Sequence, residues 1–359
     1  MRDPPPYKFI ADGLKAGEVV PFFGAAASAV YRPKNETWEP GKPFMPFGSE
    51  LATTLANAAN YRALEADYDL AFEDLLGAVR GFAANVPEDQ AKAVLAPVLR
   101  KHLGRPLDLA LIASWAEHVQ GHRRAVNREL RQSFGVEAHP GLLHTKLASV
   151  EGSTVYITTN YDDLLEKALE PRKPHVIVDR GDKGLWVAPA GGTSQRVAAT
   201  GTDLYSLLND PRTQQPSHPI LFKMHGSIDR AIARNDSYLI TEEDYVDFLG
   251  RSGGSYVPPY ISGLIEGKDF LFLGYSLEDW NVRVILRKLL KRAKQTRDHQ
   301  VRDKNDDDNN GSTNEEGEVR FWAIVRGRSD VEQEVWQAQN LNIYPMDLCE
   351  FSENLVKYL

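Results

Sequence analysis

Short apolar runs that end on glycine or on a small polar residue recur along this chain, and stretches with helical spacing of apolar positions lie between them. Glu18-Val19-Val20-Pro21-Phe22-Phe23 is the first such run. It is stopped by Gly24 and then by Ala25, Ala26, Ala27 and Ser28, which predicts a strand feeding a tight turn. Thr154-Val155-Tyr156-Ile157-Thr158 and Ile220-Leu221-Phe222-Lys223-Met224 repeat the pattern, and residues 268–273 do so again before Gly274. A late strand is expected at 319–325. Helices are expected over 162–169 and from Thr241, where an N-capping threonine precedes Glu242, Glu243 and Asp244 in the first turn. Alternation of strand and helix predicts a parallel sheet, hence an α/β, Rossmann-like fold.

Two stretches interrupt that alternation. Residues 31–47 carry Pro33, Pro40, Pro43 and Pro46 among Trp38, Phe44 and Phe47, which reads as a structured loop. From 49 to 150 the apolar positions keep helical spacing, through Leu51 and Leu55, then Leu70, Phe72, Leu75, Leu76 and Val79, then Val94, Leu95, Val98 and Leu99. The expected organisation is one α/β domain over 1–359 with a helical insertion at 49–150. Residues 302–318, nearly free of apolar side chains and holding Asp306, Asp307 and Asp308, are expected to form a disordered acidic loop.

Composition narrows the function classes. A net charge of −8 gives no overall basic field for phosphate backbones, so direct nucleic-acid binding is not expected. The single cysteine, Cys349, excludes an internal disulfide and leaves no Cys-x-x-Cys pair for zinc, so no metal is expected. Pro4, Pro5 and Pro6 stand where a secretion signal needs an apolar run, and no segment reaches ~18 uninterrupted apolar residues. A cytoplasmic protein without a membrane span is the expectation.

The candidate chemistry sits where strands end. Gly24-Ala25-Ala26-Ala27-Ser28 has the small side chains that let backbone amides approach a diphosphate; the plainer reading is close helix packing. It lacks the spacing of the dinucleotide-dehydrogenase fingerprint, which lowers an oxidoreductase reading. Thr158-Thr159-Asn160-Tyr161-Asp162 presents polar groups at a strand end, with a helix cap as the plainer reading of Asp162. His225, in Lys223-Met224-His225-Gly226-Ser227, places an imidazole at the same edge of the sheet, where it would act as a proton acceptor or be purely structural. Gly274-Tyr275-Ser276-Leu277-Glu278-Asp279 allows close backbone approach and supplies hydroxyl and carboxylate groups, or simply a capped helix start. One site at the carboxyl ends of a parallel sheet accounts for all four segments together.

Taken in order, these segments resemble the sirtuin-like domain family, particularly its bacterial branch found in anti-phage defence proteins. Gly24-Ala25-Ala26-Ala27-Ser28 is similar to the family's Gly-Ala-Gly-x-Ser turn, with Ala26 in place of the second glycine. Thr158 to Asp162 is similar to its Thr-x-Asn-x-Asp segment, His225-Gly226 to its His-Gly, and Gly274-Tyr275-Ser276 to its late Gly-x-Ser turn. The zinc-binding cysteines of the deacylase branch are missing. The resemblance implies an NAD glycohydrolase that cleaves the nicotinamide-ribose bond to give nicotinamide and ADP-ribose or its cyclic form, in the role of an NAD-depleting defence effector. Asn160 and His225 are its implied catalytic residues. Gly24, Ala25, Ser28, Thr159, Asp162, Gly274, Ser276 and Asp279 are its implied NAD contacts. A homo-oligomer is implied too, with a HerA-like ATPase or another trigger-sensing subunit as partner. A module that binds NAD or ADP-ribose without turnover, kept open by Ala26, is the alternative; a protein deacylase ranks below both.

Overall fold

The computed structural model describes residues 4–33, 36–61, 108–197, 202–230, 232–250, 257–275, 319–325 and 340–359, with single positions within 283–287 and 334–338. The chain divides into two compact units, Met1–Phe47 with Leu130–Leu359, and Gly48–Glu129. Of the stretch with helical spacing at 49–150, the helix Leu142–Ala148 falls in the first unit.

Among the described residues, the first unit is built on a nine-stranded sheet. Its strands in chain order are β1 (Val19–Phe23), β2 (Val155–Thr158), β3 (His175–Asp179), β4 (Leu185–Ala188), β5 (Gln195–Val197), β6 (Ile220–Lys223), β9 (Asp269–Leu273), β10 (Phe321–Val325) and β11 (Leu341–Pro345). A separate ribbon pairs β7 (Gly226–Ser227) with β8 (Ser237–Tyr238). The spatial order is β11-β10-β9-β1-β2-β6-β3-β4-β5. The strands from β11 to β3 are parallel, and β4 and β5 extend the sheet as an antiparallel edge. This is a Rossmann-like α/β fold.

Successive strand residues face opposite sides, which is why these strands read as unbroken apolar runs. Val20, Phe22, Phe270, Phe272, Ile220 and Phe222 join one core, covered by helices Thr202–Leu208, Glu242–Gly250 and Pro259–Leu264. Val19, Phe23, Leu271, Leu273 and Leu221 join the other, against helices Tyr7–Ala16, Leu142–Ala148, Leu164–Leu169 and Leu348–Val356. β1 lies between β2 and β9, so the strand order runs outward from it in both directions. In parallel sheets that reversal opens a crevice at the carboxyl ends of the strands.

The second unit holds helices Gly48–Ala58 and Leu109–Gln120. Asp108 starts the latter by accepting from the amides of Ala110 (2.9 Å) and Leu111 (3.1 Å), and Gly121 at φ 72° ends it. Residues 62–107 and the acidic stretch 302–318 lie outside the described residues. No helix among the described residues is long and apolar enough to cross a membrane.

Candidate functional site

Gly24 leaves β1 extended, at φ −108° and ψ 178°, and caps the short helix Ala25–Ala29. The turn is clamped to the end of β9: the Gly24 amide donates to the Leu273 carbonyl at 2.8 Å and the Ala26 amide to the Gly274 carbonyl at 3.0 Å. Ala26 has right-handed helical backbone, so an alanine in place of the family's second glycine carries no backbone strain. Gly274 has no such freedom. Its φ is +75°, and a Cβ there would lie 2.2 Å from the Ala27 nitrogen. Gly274→Ala is therefore expected to cost about 3 kcal/mol or more, from left-handed strain together with a backbone clash, and a urea unfolding midpoint close to wild type would contradict this.

The turn after β2 is fastened to the turn after β1. The Phe23 carbonyl receives three donors: Thr158 Oγ1 at 3.0 Å, the Thr159 amide at 3.2 Å and the Tyr275 hydroxyl at 2.8 Å. Thr158 Oγ1 in turn accepts from the Asn160 amide at 2.9 Å. Asn160 Nδ2 donates to the Gly24 carbonyl (3.0 Å) and to Ser28 Oγ (2.9 Å). A carbonyl accepts only from the NH₂ side of an amide, so this contact fixes the orientation of the side chain and leaves Oδ1 facing away. Thr159 Oγ1 lies 3.0 Å from the Tyr275 hydroxyl. The Asp162 carboxylate accepts from the Leu164 amide at 3.0 Å, one residue ahead of Asp163, the N-cap of helix Leu164–Leu169.

His225 follows β6 by two residues. Its ring stands edge-on to Tyr245 (5.5 Å) and Phe248 (5.6 Å) of the helix Glu242–Gly250, and Nε2 is buried with no hydrogen-bond partner among the described residues. That helix is set by a reciprocal cap: Thr241 Oγ1 accepts from the Asp244 amide, and the Asp244 carboxylate accepts from the amides of Ile240 and Thr241. Gly226 completes the His-Gly pair for a steric reason, since at φ +90° a Cβ would meet the Ser237 carbonyl at 2.2 Å. Burial pushes the His225 imidazole down to about 3, so it is neutral at physiological pH.

Beneath the Asn160 turn lie further ionisable groups. Lys223 is fully buried; its ammonium bonds Glu166 Oε1 at 2.6 Å and the Asp162 carbonyl, and lies 3.5 Å from the Tyr161 carbonyl. Burial raises the Glu166 carboxyl, against the lowering pull of Lys223. His144 stacks on Phe23 at 5.6 Å with neither ring nitrogen partnered among the described residues, and burial pushes it down to about 4 against the opposing charge of Asp162.

His144 and His225 bear on stability. Unfolded, each imidazole titrates near its ordinary value of 6.5; folded, they stay neutral until about 4 and about 3. Below pH 6.5 the unfolded chain therefore binds more protons. Stability present above that pH is expected to fall by about 1.4 kcal/mol per pH unit per imidazole as pH drops toward 4. Urea midpoints at pH 7.5, 6 and 5 check this, and a flat profile would contradict it.

Of the residues expected at the site, Gly24, Ser28, Thr159, Asn160, Asp162 and Gly274 gather at the neighbouring ends of β9, β1 and β2. His225 follows the next strand, β6, and Ala25 opens the exposed start of its helix. Ser276 and Asp279 lie outside the described residues. Among the described residues no three His, Cys, Asp or Glu side chains cluster as metal ligands. Trp38 and Phe44 are buried, at 4% and 8% exposure, as loop-packing aromatics are.

A family model for the SIR2-like domain matches residues 154–344. The chain belongs to the SIR2-like family. The matched span includes the family's Asn160 and His225 segments and the Gly274 turn. Among curated proteins the chain is 28% identical over 204 residues to the NAD(+) hydrolase ThsA of Acinetobacter baumannii (strain 532279), covering 55% of this chain and 35% of that protein. It is 29% identical over 180 residues to the NAD(+) hydrolase ThsA of Enterococcus faecium, covering 50% and 31%. The chain thus matches about a third of the length of these relatives.

Sequence reasoning missed three members of the site. Tyr275 lies in the Gly-x-Ser turn, but its hydroxyl reaches the Phe23 carbonyl across 252 positions of sequence. Lys223 is the polar end of an apolar run, and His144 is one polar position among Leu142, Leu143 and Leu147. A lysine inside an otherwise buried strand was the available signal for the second.

Proposed function

We propose that the chain hydrolyses NAD at the nicotinamide-ribose bond, releasing nicotinamide and ADP-ribose or its cyclic form. The observation that carries this reading is the convergence of Asn160, with Oδ1 turned away from its backbone clamp, and His225, with an unpartnered Nε2, on neighbouring strand ends beside the Gly24–Ser28 turn. The names of the ThsA relatives support it. The small residues at 24–28 suit close approach by a diphosphate, and Thr159 and Tyr275 bring hydroxyls to the same rim.

Breaking the bond takes the ribose through an oxocarbenium-like state and lets nicotinamide depart neutral. Asn160 Oδ1 would orient the ribose or the incoming water, and neutral His225 would accept a proton from water or from a ribose hydroxyl. The family turn tolerates Ala26, which removes the sequence feature that favoured binding without turnover. In the cell we place this activity in the cytoplasm, as the NAD-depleting effector of an anti-phage system, assembled as a homo-oligomer and triggered by a HerA-like ATPase or a comparable subunit. The decisive test is chromatographic detection of nicotinamide after incubating the chain with NAD at low and high protein concentration. ADP-ribose binding without any release, at every concentration and with candidate partners added, would overturn the reading.

The pH profile of that release follows from burial. A base must be unprotonated, and His225 stays so well below its ordinary 6.5. The acid limb of kcat/KM is therefore expected below pH 6.5; a limb centred at or above 6.5 would remove His225 from the role.

A further inference from the structure

Lys223 links the strand that leads to His225 with the turn that carries Asn160. Lys223 is the last residue of β6, two positions before His225. Its side chain crosses to the turn after β2, where it bonds the Asp162 carbonyl and lies 3.5 Å from that of Tyr161, the carbonyls of the two residues that follow Asn160. These carbonyls precede the helix Leu164–Leu169 and point into the protein, where carbonyls without donors are costly. The Tyr161 carbonyl also accepts from the Ile228 amide at 3.0 Å, so the chain just past His225 is tied to the same turn. Glu166 Oε1, at 2.6 Å, is the third acceptor and supplies the counter-charge.

A buried ion pair is a poor means of adding stability. Desolvating both charges offsets most of their attraction, and apolar residues of similar volume often do as well. Here Glu166 Oε2 is left buried without a partner among the described residues, a further cost. What the arrangement does provide is position. One ammonium with three N–H bonds sets the distance between the strand that carries His225 and the turn that carries Asn160. Displacement of a reacting group by about 1 Å is enough to cost about 10²-fold in rate.

We propose that Lys223, neutralised by Glu166, is a positioning residue that holds Asn160 and His225 in register with one another. The proposal rests on the reading of those two side chains as the reacting pair. Removing Lys223 alone would strand the Glu166 charge, so the test is the double variant Lys223→Met with Glu166→Gln, which keeps volume and removes both charges. The variant is expected to melt as a folded protein and to bind ADP-ribose within about threefold of wild type. Its kcat for nicotinamide release is expected to fall by about 10²-fold with KM little changed. Hydrogen exchange at the Asn160 and Ile228 amides should speed up by about tenfold or more, while core amides of β1 keep their protection.

A folded double variant with kcat within about threefold of wild type overturns the proposal. If that pair does not fold, Lys223→Gln with Glu166→Gln carries the same expectation and the same overturning result. Should wild type itself release no nicotinamide, the NAD reading fails by itself. The exchange rates then decide this proposal: faster exchange confined to the Asn160 turn supports it, and unchanged exchange refutes it.

Discussion

Replacing His225 by alanine is expected to lower kcat for nicotinamide release by about 10² to 10⁴-fold while leaving ADP-ribose binding nearly intact. Nε2 of the imidazole makes no hydrogen bond to the described residues, so its loss leaves no partner at that nitrogen stranded. What is lost is the neutral imidazole that the proposed mechanism uses as its base. Truncation also leaves space between Tyr245 and Phe248, which is expected to lower the melting temperature modestly. His225→Gln controls for that space, because it keeps polar bulk without a basic nitrogen and is expected to be as inactive as the alanine variant. Retention of a third or more of wild-type kcat by either variant would show that the base lies elsewhere.

The second large effect is expected at Asn160. Asn160→Ala removes two hydrogen bonds at once, to the Gly24 carbonyl and to Ser28 Oγ, and with them the Oδ1 proposed to orient the ribose or the water. A loss of about 10²-fold or more in kcat/KM is expected. Asn160→Asp separates the two contributions: it restores an outward oxygen but sets a carboxylate against the Gly24 carbonyl, where only a donor fits. It should remain inactive and be less stable than the alanine variant. Ser28→Ala, which spares the bond to Gly24, should cost far less, about tenfold. Nicotinamide release at saturating and limiting NAD checks the whole series, and a fully active Asn160→Ala would remove the residue from the mechanism.

Much of this arrangement was legible in the sequence because its signals are local. A strand that stops before Gly24, Thr159, Met224 or Gly274 stops for reasons written within a few residues, and parallel sheets bring such ends to one edge. The Thr241 cap was readable in the same way, and Asp244 completed it. What could not be read depends on partners distant in the chain. The Tyr275 hydroxyl acts on Phe23, and the Lys223 ammonium acts on Asp162 and Glu166, and no periodicity records either contact. The Asp162 carboxylate bonds the Leu164 amide from ahead of the N-cap, Asp163, so the regular helix begins only at Leu164 and not at 162. The hairpin of β4 and β5 went unread for another reason: its two strands are short and half exposed, so hydrophobic runs do not announce them.

Those short outer strands have a consequence for how copies of this chain would associate. Among the described residues, one border of the nine-stranded sheet is β5, three residues long, with Gln195 and Arg196 turned to solvent. The opposite border is β11, which ends on Pro345, a residue with no amide proton to offer a further strand. Neither border is a good template for another strand, so self-association by continuing the sheet from one molecule into the next is disfavoured at both ends. An assembly of such subunits would be joined through helices and loops, and the sheet of each subunit would stay a closed unit within it.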